Sequence, residues 1–376
     1  MPVRSAIEFA SSFPHTTEVF EQGRRRSLHF GLQIWVAQSG EVLAESALGE
    51  AIPGVPLTSN HWLPWLSAAK PLTAVLIAQL WERGLVDLDA PVATYIPEFG
   101  IHGKESILVR HLLTHTAGLR SIETGWPDVP WNETLARICA APLDAGATPG
   151  VAAGYHVAST WFVLGEILQR IHQRPFAEIL QTELLAPCGM TETRAALDDT
   201  EREQLGGRVA PLWERDKLDL KLLDWHLPPR SERPSPGSSL RGPVRDLGRF
   251  YEMLRKDGDG LDGRVLLPET VAAFRTRQRV GAFDQTLGHV VDFGLGVIID
   301  SNCYGADTVP YGYGRYCSAG TFGHGGAQSS QGYCDPDRQL VVAYVFNGRP
   351  GEAQHSRRCR SINEAIYRDL GMAPPT

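Results

Sequence analysis

A short segment near residue 70 places the strongest limit on what this chain can form. Ser67 and Lys70 are three positions apart at the start of a run, residues 67–81, that predicts one helix. A helix turns once in about 3.6 residues, so the hydroxyl and the amine lie one above the other on the same face. Lys70 can therefore take the proton of Ser67. Serine is a weak nucleophile without an adjacent base, and a desolvated lysine supplies one without histidine.

The residues around this pair favour a buried helix. Pro71 is tolerated in a first turn, and Leu72, Leu76 and Leu80 form an i, i+4 stripe. Ser67 at the helix N-terminus lies beside backbone N–H groups and the positive end of the helix dipole, which favour an anionic intermediate. A Ser-x-x-Lys match alone also fits a buried helix start with an exposed lysine, so the assignment depends on the rest of the chain.

Composition restricts the class of protein. The 376 residues suit one large domain or two interleaved ones, and 43% apolar with 21% charged residues is ordinary for a soluble globular protein. A net charge of −7 argues against binding to nucleic acid or to an anionic membrane, since both need clustered excess Lys and Arg. We therefore expect no nucleic-acid partner and no membrane association.

Several further signals are absent from the sequence. No stretch approaches the roughly 18 apolar residues of a membrane span, and the N-terminus lacks the apolar core of a secretion signal, so we expect a cytoplasmic protein. Export after removal of a leader stays open. The six cysteines are scattered, with no His/Cys cluster at metal-ligand spacing, so we expect free thiols, no metal and no cofactor.

The first half of the chain predicts a hairpin followed by a mainly helical region. Residues 30–50 alternate apolar and polar character on both sides of a Gln-Ser-Gly-Glu turn at residues 38–41. Gly84 then predicts a helix stop. Residues 107–200 are mainly helical in pattern, including a strongly apolar helix over residues 159–171.

The second half predicts a long loop, two strands and two helices. Residues 226–243 are rich in Pro, Ser, Gly and Arg, which predicts a loop before a helix at residues 244–254. Strand-like runs follow at residues 294–300 and 339–346, and a helix is expected near residues 362–370.

Strands near both ends with helices between them predict an α+β fold. We expect an antiparallel sheet flanked by helices, built from residues 1–80 and 240–376. An inserted, mainly helical domain is expected over residues 81–239.

Two further segments accompany the Ser-x-x-Lys pair. Tyr155 follows a Pro-Gly turn and precedes the apolar helix, and residues 322–327 read Phe-Gly-His-Gly-Gly-Ala next to a strand pattern. With this order of motifs the chain resembles the serine β-lactamase and penicillin-binding-protein superfamily, most closely its class C branch with family VIII carboxylesterases, D-amino-acid peptidases and acyltransferases. Other segments carry the same resemblance: residues 84–92, 111–119 (His-Leu-Leu-Thr-His-Thr-Ala-Gly-Leu), 237–250 and 293–296. The resemblance implies a β-lactamase/transpeptidase-like fold.

The resemblance also implies roles for matching residues. Ser67 would be acylated, and Lys70 and Tyr155 would share the base and acid work, with the pKa of the phenol lowered by the nearby ammonium. The backbone N–H groups of Ser67 and Ala327 would form the oxyanion hole, Ala327 from a strand.

Other residues of the motif would form part of the substrate site. Gly325 and Gly326 would let substrate lie close to a strand edge, beside His324. Each motif residue also has a simpler interpretation, since a tyrosine such as Tyr155 is often a core residue and His324 could be a loop histidine bonded to backbone. His111 and His115 lie four apart without a third ligand.

Two departures from the pattern bear on the substrate. Val157 stands where β-lactam-processing members usually carry asparagine, and it cannot donate an amide hydrogen bond to a substrate. His324-Gly325-Gly326 replaces the usual Lys-Thr-Gly and removes a fixed cation. Because histidine is largely neutral at pH 7, we expect the site to favour neutral acyl groups.

We therefore expect a serine hydrolase that acts on small carboxylic esters through an acyl-Ser67 intermediate. The alternative uses the same intermediate as an acyl donor to an alcohol or amine of a natural product. A β-lactamase or D-amino-acid peptidase, and a non-catalytic binding relative, are the remaining hypotheses. A loop at residues 303–316, rich in Tyr and Gly, is expected to line or cover the acyl pocket.

Overall fold

The computed structural model describes residues 6–374. Its helices are spread over the whole of this range. The α-helices are α1 Ala6–Ser12, α2 Pro14–Arg25, α3 Lys70–Glu82, α4 Val109–Leu113, α5 Trp131–Ala140, α6 Ser159–His172, α7 Phe176–Leu180, α8 Asp199–Leu205, α9 Val244–Arg255, α10 Pro268–Phe274 and α11 Glu352–Asp369.

The strands form one large sheet and three small ones. The strands are β1 Gly31–Gln38, β2 Glu41–Ile52, β3 Val55–Pro56, β4 Leu63–Pro64, β5 Trp213–Asp216, β6 Asp219–Leu222, β7 Arg241–Gly242, β8 Phe283–Asp284, β9 His289–Val290, β10 Ile298–Ile299, β11 Phe322–Gly325, β12 Ser330–Asp335, β13 Leu340–Phe346 and β14 Gly348–Arg349. The large sheet is antiparallel throughout, in the order β10-β11-β12-β13-β1-β2-β3. Chain segments from both ends of the sequence therefore meet in it, next to each other at β13 and β1.

The interior strand β1 is buried on both faces because helices cover both sides of the sheet. Alternate side chains of a strand point to opposite faces. Ile34 packs with the terminal helices in one core that includes Phe20 of α2 and Ile366 of α11. Trp35 belongs to the other core, where α9 approaches so closely that a Cβ at Gly248 would lie 2.4 Å from the Trp35 ring. The mixture of helices and antiparallel sheet confirms the α+β prediction.

Helix α3 lies inside this second core. Every residue from Lys70 to Leu80 is buried. A helix that is apolar on nearly all sides is typical of a protein interior. The stripe of Leu72, Leu76 and Leu80 is therefore only one of several sides of α3 that the core covers.

Most of the predicted elements are confirmed near their expected bounds. The β1–β2 hairpin turns at Ser39 and Gly40, which both have positive φ (52° and 86°), as expected for a tight two-residue hairpin turn. Gly84, with φ 69°, lies just beyond α3. Helix α9 and the preceding loop also lie where the sequence placed them.

Two predicted elements are wrong in extent. The run at residues 294–300 forms a strand only at Ile298–Ile299, because Gly296 adopts φ 76° and turns the chain. The last helix begins at Glu352, ten residues before its predicted start. Its first turns bury His355 and Arg358. Because these core-facing positions are polar, the sequence there lacks the apolar spacing that predicts an amphipathic helix.

The division into a domain of residues 1–80 and 240–376 and an inserted domain of residues 81–239 stays a prediction. Residues 1–5 and 375–376 of the first of these lie outside the described residues. No helix within residues 6–374 combines the length and apolar character needed to span a bilayer.

Candidate active site

Ser67 lies in a tight turn that leads into α3. Leu66–Ala69 form a 3-10 turn and the α-helix begins only at Lys70, so the expected continuous helix start is replaced by this turn. Leu66 has φ 53°, a left-handed conformation that is costly for a residue with a branched side chain. Ser330 Oγ donates a hydrogen bond to the carbonyl of Trp65 and helps to fix the turn. Ser67 itself stays partly exposed.

Lys70 is fully buried behind Ser67. Its Nζ lies 3.0 Å from Ser67 Oγ, 2.8 Å from the carbonyl oxygen of Val157 and 3.1 Å from that of Gly237. Burial lowers the pKa of Lys70 well below its usual value. A neutral amine has two N–H donors and one lone pair, which matches two carbonyl acceptors and one hydroxyl donor.

The Tyr155 ring lies next to the Lys70 amine. The Lys70 Nζ is 5.1 Å from the centre of the Tyr155 ring. Burial raises the pKa of the Tyr155 phenol, and a hydrogen bond with Ser67 opposes this rise without cancelling it. The expected lowering of that pKa by an ammonium is therefore wrong, because desolvation acts on both groups and keeps the phenol protonated.

His324 forms part of the sheet edge next to Tyr155. It lies within β11, and its ring centre is 5.8 Å from that of Tyr155. Its Nδ1 lies 2.7 Å from the carbonyl oxygen of Gly325, which places the proton on Nδ1. Burial, with a contribution from Lys70, lowers the pKa of His324 to about 3. The imidazole is thus neutral at pH 7, as the sequence led us to expect.

The two glycines after His324 are required by protein contacts. A Cβ at Gly325 would lie 2.3 Å from the Tyr311 ring, and one at Gly326 would lie 2.2 Å from the Trp65 carbonyl oxygen. Gly325 lines the pocket, whereas Gly326 packs beneath the Ser67 turn. We expected Gly326 to let substrate lie close to the strand. In the structure it instead lets the strand lie close to the backbone of Trp65.

Ala327 follows in a turn after β11, not in a strand as expected. Gly326 lies against Trp65 and Leu66, just before Ser67, and Ser67 and Ala327 both line one pocket. Among residues 6–374, neither the Ser67 N–H nor the Ala327 N–H donates a hydrogen bond to another protein group. Both donors are therefore available to a ligand.

A pocket of about 470 Å³ opens in front of Ser67. Ser67, Tyr155, Val157, His324, Gly325 and Ala327 line it together with the following residues that the sequence did not single out for the site: Thr286, Leu287, Gly288, His289, Ile298, Glu352, Ala353 and Ser356. The tyrosine-rich loop contributes Thr308, Pro310 and Tyr311, which confirms its predicted position. The Val157 side chain is 60% exposed, while its carbonyl oxygen binds Lys70.

A buried ion pair holds the backbone of Tyr155. Asp284 Oδ2 accepts a hydrogen bond from Arg279 Nη2 at 2.9 Å, and the two side chains are 0% and 4% exposed. Asp284 Oδ1 accepts from the backbone N–H groups of Tyr155, Thr286 and Leu287, each at 2.9 Å. One carboxylate therefore joins Tyr155 to the pocket wall. Sequence reasoning missed this pair, since no motif marks an Arg and an Asp five residues apart.

His115 of the 111–119 segment is buried next to Tyr155. His115 lies 3.3 Å from His156, Nδ1 to Nδ1, and packs against the Tyr155 ring. Burial lowers the pKa of His115 well below its usual value. Within the described part of the chain, no three His, Cys, Asp or Glu side chains form a group that would hold a metal ion.

Comparisons with known proteins agree with this arrangement. The sequence profile of the family described as Beta-lactamase matches residues 17–366. Esterase EstB of Burkholderia gladioli is 28% identical over 402 residues, which cover 97% of this chain and 98% of that protein.

Solved structures share the fold. EstCE1, described as a hydrolase with promiscuous acyltransferase activity, superposes with a TM-score of 0.81 at 21% identity and covers 96% of this chain and 100% of its own. A family VIII carboxylesterase gives a TM-score of 0.77 at 22% identity, with 98% and 99% coverage. At these identities the superpositions establish the fold alone.

Proposed function

This chain belongs to the Beta-lactamase family, and we propose that Ser67, Lys70 and Tyr155 make it a serine enzyme that cleaves small carboxylic esters through an acyl-Ser67 intermediate. Its esterase relative over nearly the whole chain and its carboxylesterase and acyltransferase structural neighbours support a serine ester hydrolase or acyltransferase. The single observation that carries the proposal is the buried Lys70 amine, 3.0 Å from the Ser67 hydroxyl.

Acylation begins with Lys70 as the base. The neutral amine accepts the Ser67 proton while its two N–H groups stay bonded to the carbonyls of Val157 and Gly237. Ser67 Oγ then attacks the ester carbonyl carbon. A lysine with its usual pKa would be protonated at pH 7, so burial is what makes it a base.

The oxyanion of the tetrahedral intermediate is stabilised by the free N–H groups of Ser67 and Ala327. Neither donor has to break a protein hydrogen bond first. Donors fixed before the reaction favour the developing charge more than the neutral carbonyl. Ser67, which follows the left-handed Leu66, lines the pocket.

Tyr155 supplies the proton to the leaving alcohol. Its raised pKa keeps the phenol protonated, so it donates to the leaving oxygen and recovers a proton from the Lys70 ammonium. The acid and base work is thus divided between the two residues. Deacylation reverses the sequence, with a water or an alcohol as the attacking group.

Acyl transfer is the second candidate, favoured by the fold shared with a hydrolase of promiscuous acyltransferase activity. Water and an acceptor compete for one acyl-enzyme, and the pocket decides by how well it excludes water and holds the acceptor. An alcohol or an amine is the acceptor class that this chemistry takes.

Turnover of a p-nitrophenyl ester series tests the proposal. We expect release of p-nitrophenol by the wild type and its loss in Ser67→Ala and Lys70→Met, with Glu203→Gln on an exposed surface as the unaffected control. Products are then separated after addition of a panel of alcohols and amines. Free acid alone would assign hydrolysis, an acylated acceptor would assign transfer, and turnover unchanged in Ser67→Ala would refute the proposal.

A further inference from the structure

The pocket in front of Ser67 has an uneven distribution of charge. Within the described range, its wall includes one formally charged side chain, the carboxylate of Glu352. The motif position that could carry a cation holds His324, which is neutral. Among the described residues, the wall therefore presents one carboxylate and no lysine or arginine.

Hydrogen bonds hold the Glu352 carboxylate in place. Tyr311 Oη donates to it at 3.0 Å, and Gln328 Nε2 donates at 3.2 Å. Gln328 is itself held, since its Oε1 accepts from the Gly351 N–H at 2.6 Å. Both partners of the carboxylate are neutral, so they fix its position without cancelling its charge.

One cation on the same helix, Arg358, is directed elsewhere. Arg358 is buried and donates to the carbonyls of Leu28, Gln328 and Gly348 and to His29. Glu352 is the first residue of α11, where the helix dipole favours a negative charge. The carboxylate is thus exposed to the pocket, fixed and free of an ion pair with Arg358.

We propose that Glu352 makes this site select an acyl donor or acceptor that carries an ammonium group. The inference rests on the proposed function and names its substrate class. Tyr155 and Tyr311 line the same pocket, and aromatic rings attract cations, including quaternary ammonium groups. A ligand with a carboxylate is repelled by the same charge.

A purely structural role for Glu352 is the competing account. The carboxylate joins Tyr311 to Gln328, which directly follows Ala327, so its loss could shift the proposed oxyanion donor. Such a shift lowers turnover of every ester alike. Only a charge interaction changes the ratio between a cationic ester and a neutral ester of the same shape.

Three phenyl acetates of similar size separate the two accounts. They carry trimethylammonio, tert-butyl or carboxylate groups at the meta position, and kcat/KM is compared for wild type, Glu352→Gln and the exposed control Glu203→Gln. We expect the ratio of kcat/KM for the cationic over the neutral ester to be about two- to fivefold higher in the wild type and the control than in Glu352→Gln, as for an exposed ion pair. This difference between the variants shrinks at about 0.5 M salt. Because the trimethylammonio group also makes the phenol a better leaving group in every variant, only the change of the ratio between variants is interpreted.

A binding measurement tests the charge preference independently of catalysis. The three corresponding phenols are titrated by calorimetry into Ser67→Ala and into Ser67→Ala/Glu352→Gln, and the same order of affinity is expected only in the first. If esters are not turned over but this order appears, the proposed function fails and the charge preference stands. Equal binding of the cationic and neutral phenols to Ser67→Ala, or a cationic-to-neutral kcat/KM ratio that is unchanged in Glu352→Gln, would overturn the inference.

Discussion

Replacement of Asp284 by alanine should destabilise the protein and impair catalysis together. The change leaves Arg279 buried without its counter-charge and removes the acceptor of three backbone N–H groups, one of them from Tyr155. Loss of one partner of a buried ion pair costs about 3–5 kcal/mol. The carboxylate does not touch the reacting atoms, so its effect on the reaction comes through the position of Tyr155.

The expected shift in melting temperature follows from the size of the chain. An unfolding entropy of about 2.1 cal/mol/K per residue gives about 0.8 kcal/mol/K for 376 residues. A loss of about 3–5 kcal/mol therefore lowers Tm by about 4–6 °C. We also expect kcat for a p-nitrophenyl ester to fall by about tenfold or more, with a smaller change in KM, because proton donation by Tyr155 is misaligned.

Calorimetry and steady-state kinetics on Asp284→Ala check both effects, with exposed Asp262→Ala as the matched control. The double variant Arg279→Met/Asp284→Ala removes the stranded charge and should recover part of the lost Tm without recovering kcat. A Tm within about 1 °C of wild type, or a kcat that is unchanged in Asp284→Ala, would refute this reasoning.

Two further predictions concern the base and the strand edge. Burial lowers the pKa of Lys70 and the neutral amine is the active form, so ester turnover should rise with pH through a pKa well below the usual lysine value. A kcat/KM profile that rises only near pH 10, about the usual lysine pKa, would contradict this. Gly326→Ala places a Cβ 2.2 Å from the Trp65 carbonyl oxygen and 2.3 Å from Ser330 Oγ, so ester turnover should fall by about tenfold or more. The control Gly207→Ala adds a Cβ that meets no atom within 4 Å, and it should match wild type in the same assay.

Local pattern was sufficient for the fold class and the family. Alternation around residues 38–41 predicted the β1–β2 hairpin, and the order of Ser-x-x-Lys, Tyr and His-Gly-Gly indicated the superfamily that the family profile confirms. Both signals consist of residues that are close together in the chain or in a fixed order along it, so they can be recognised without the structure. The long helix α11 was found only in part, because its first turns bury polar side chains such as Arg358.

The electrostatics of the site depend on contacts that have no sequence signature. The carbonyls that hold Lys70 belong to Val157 and Gly237, and any residue type can supply a backbone acceptor. Burial reverses the expected direction of the Tyr155 pKa, and burial is a tertiary property. Glu352 meets Tyr311 across 41 residues of chain, so its place in the pocket could not be predicted.

The central claim is that Ser67 is the acylated nucleophile. Intact-mass spectrometry after brief exposure to p-nitrophenyl esters and to a fluorophosphonate probe, followed by peptide mapping, tests it most directly. The account predicts one adduct of the acyl mass on the peptide that contains Ser67, and none in Ser67→Ala. An adduct on another residue, or no adduct with either reagent in the folded wild type, would contradict it.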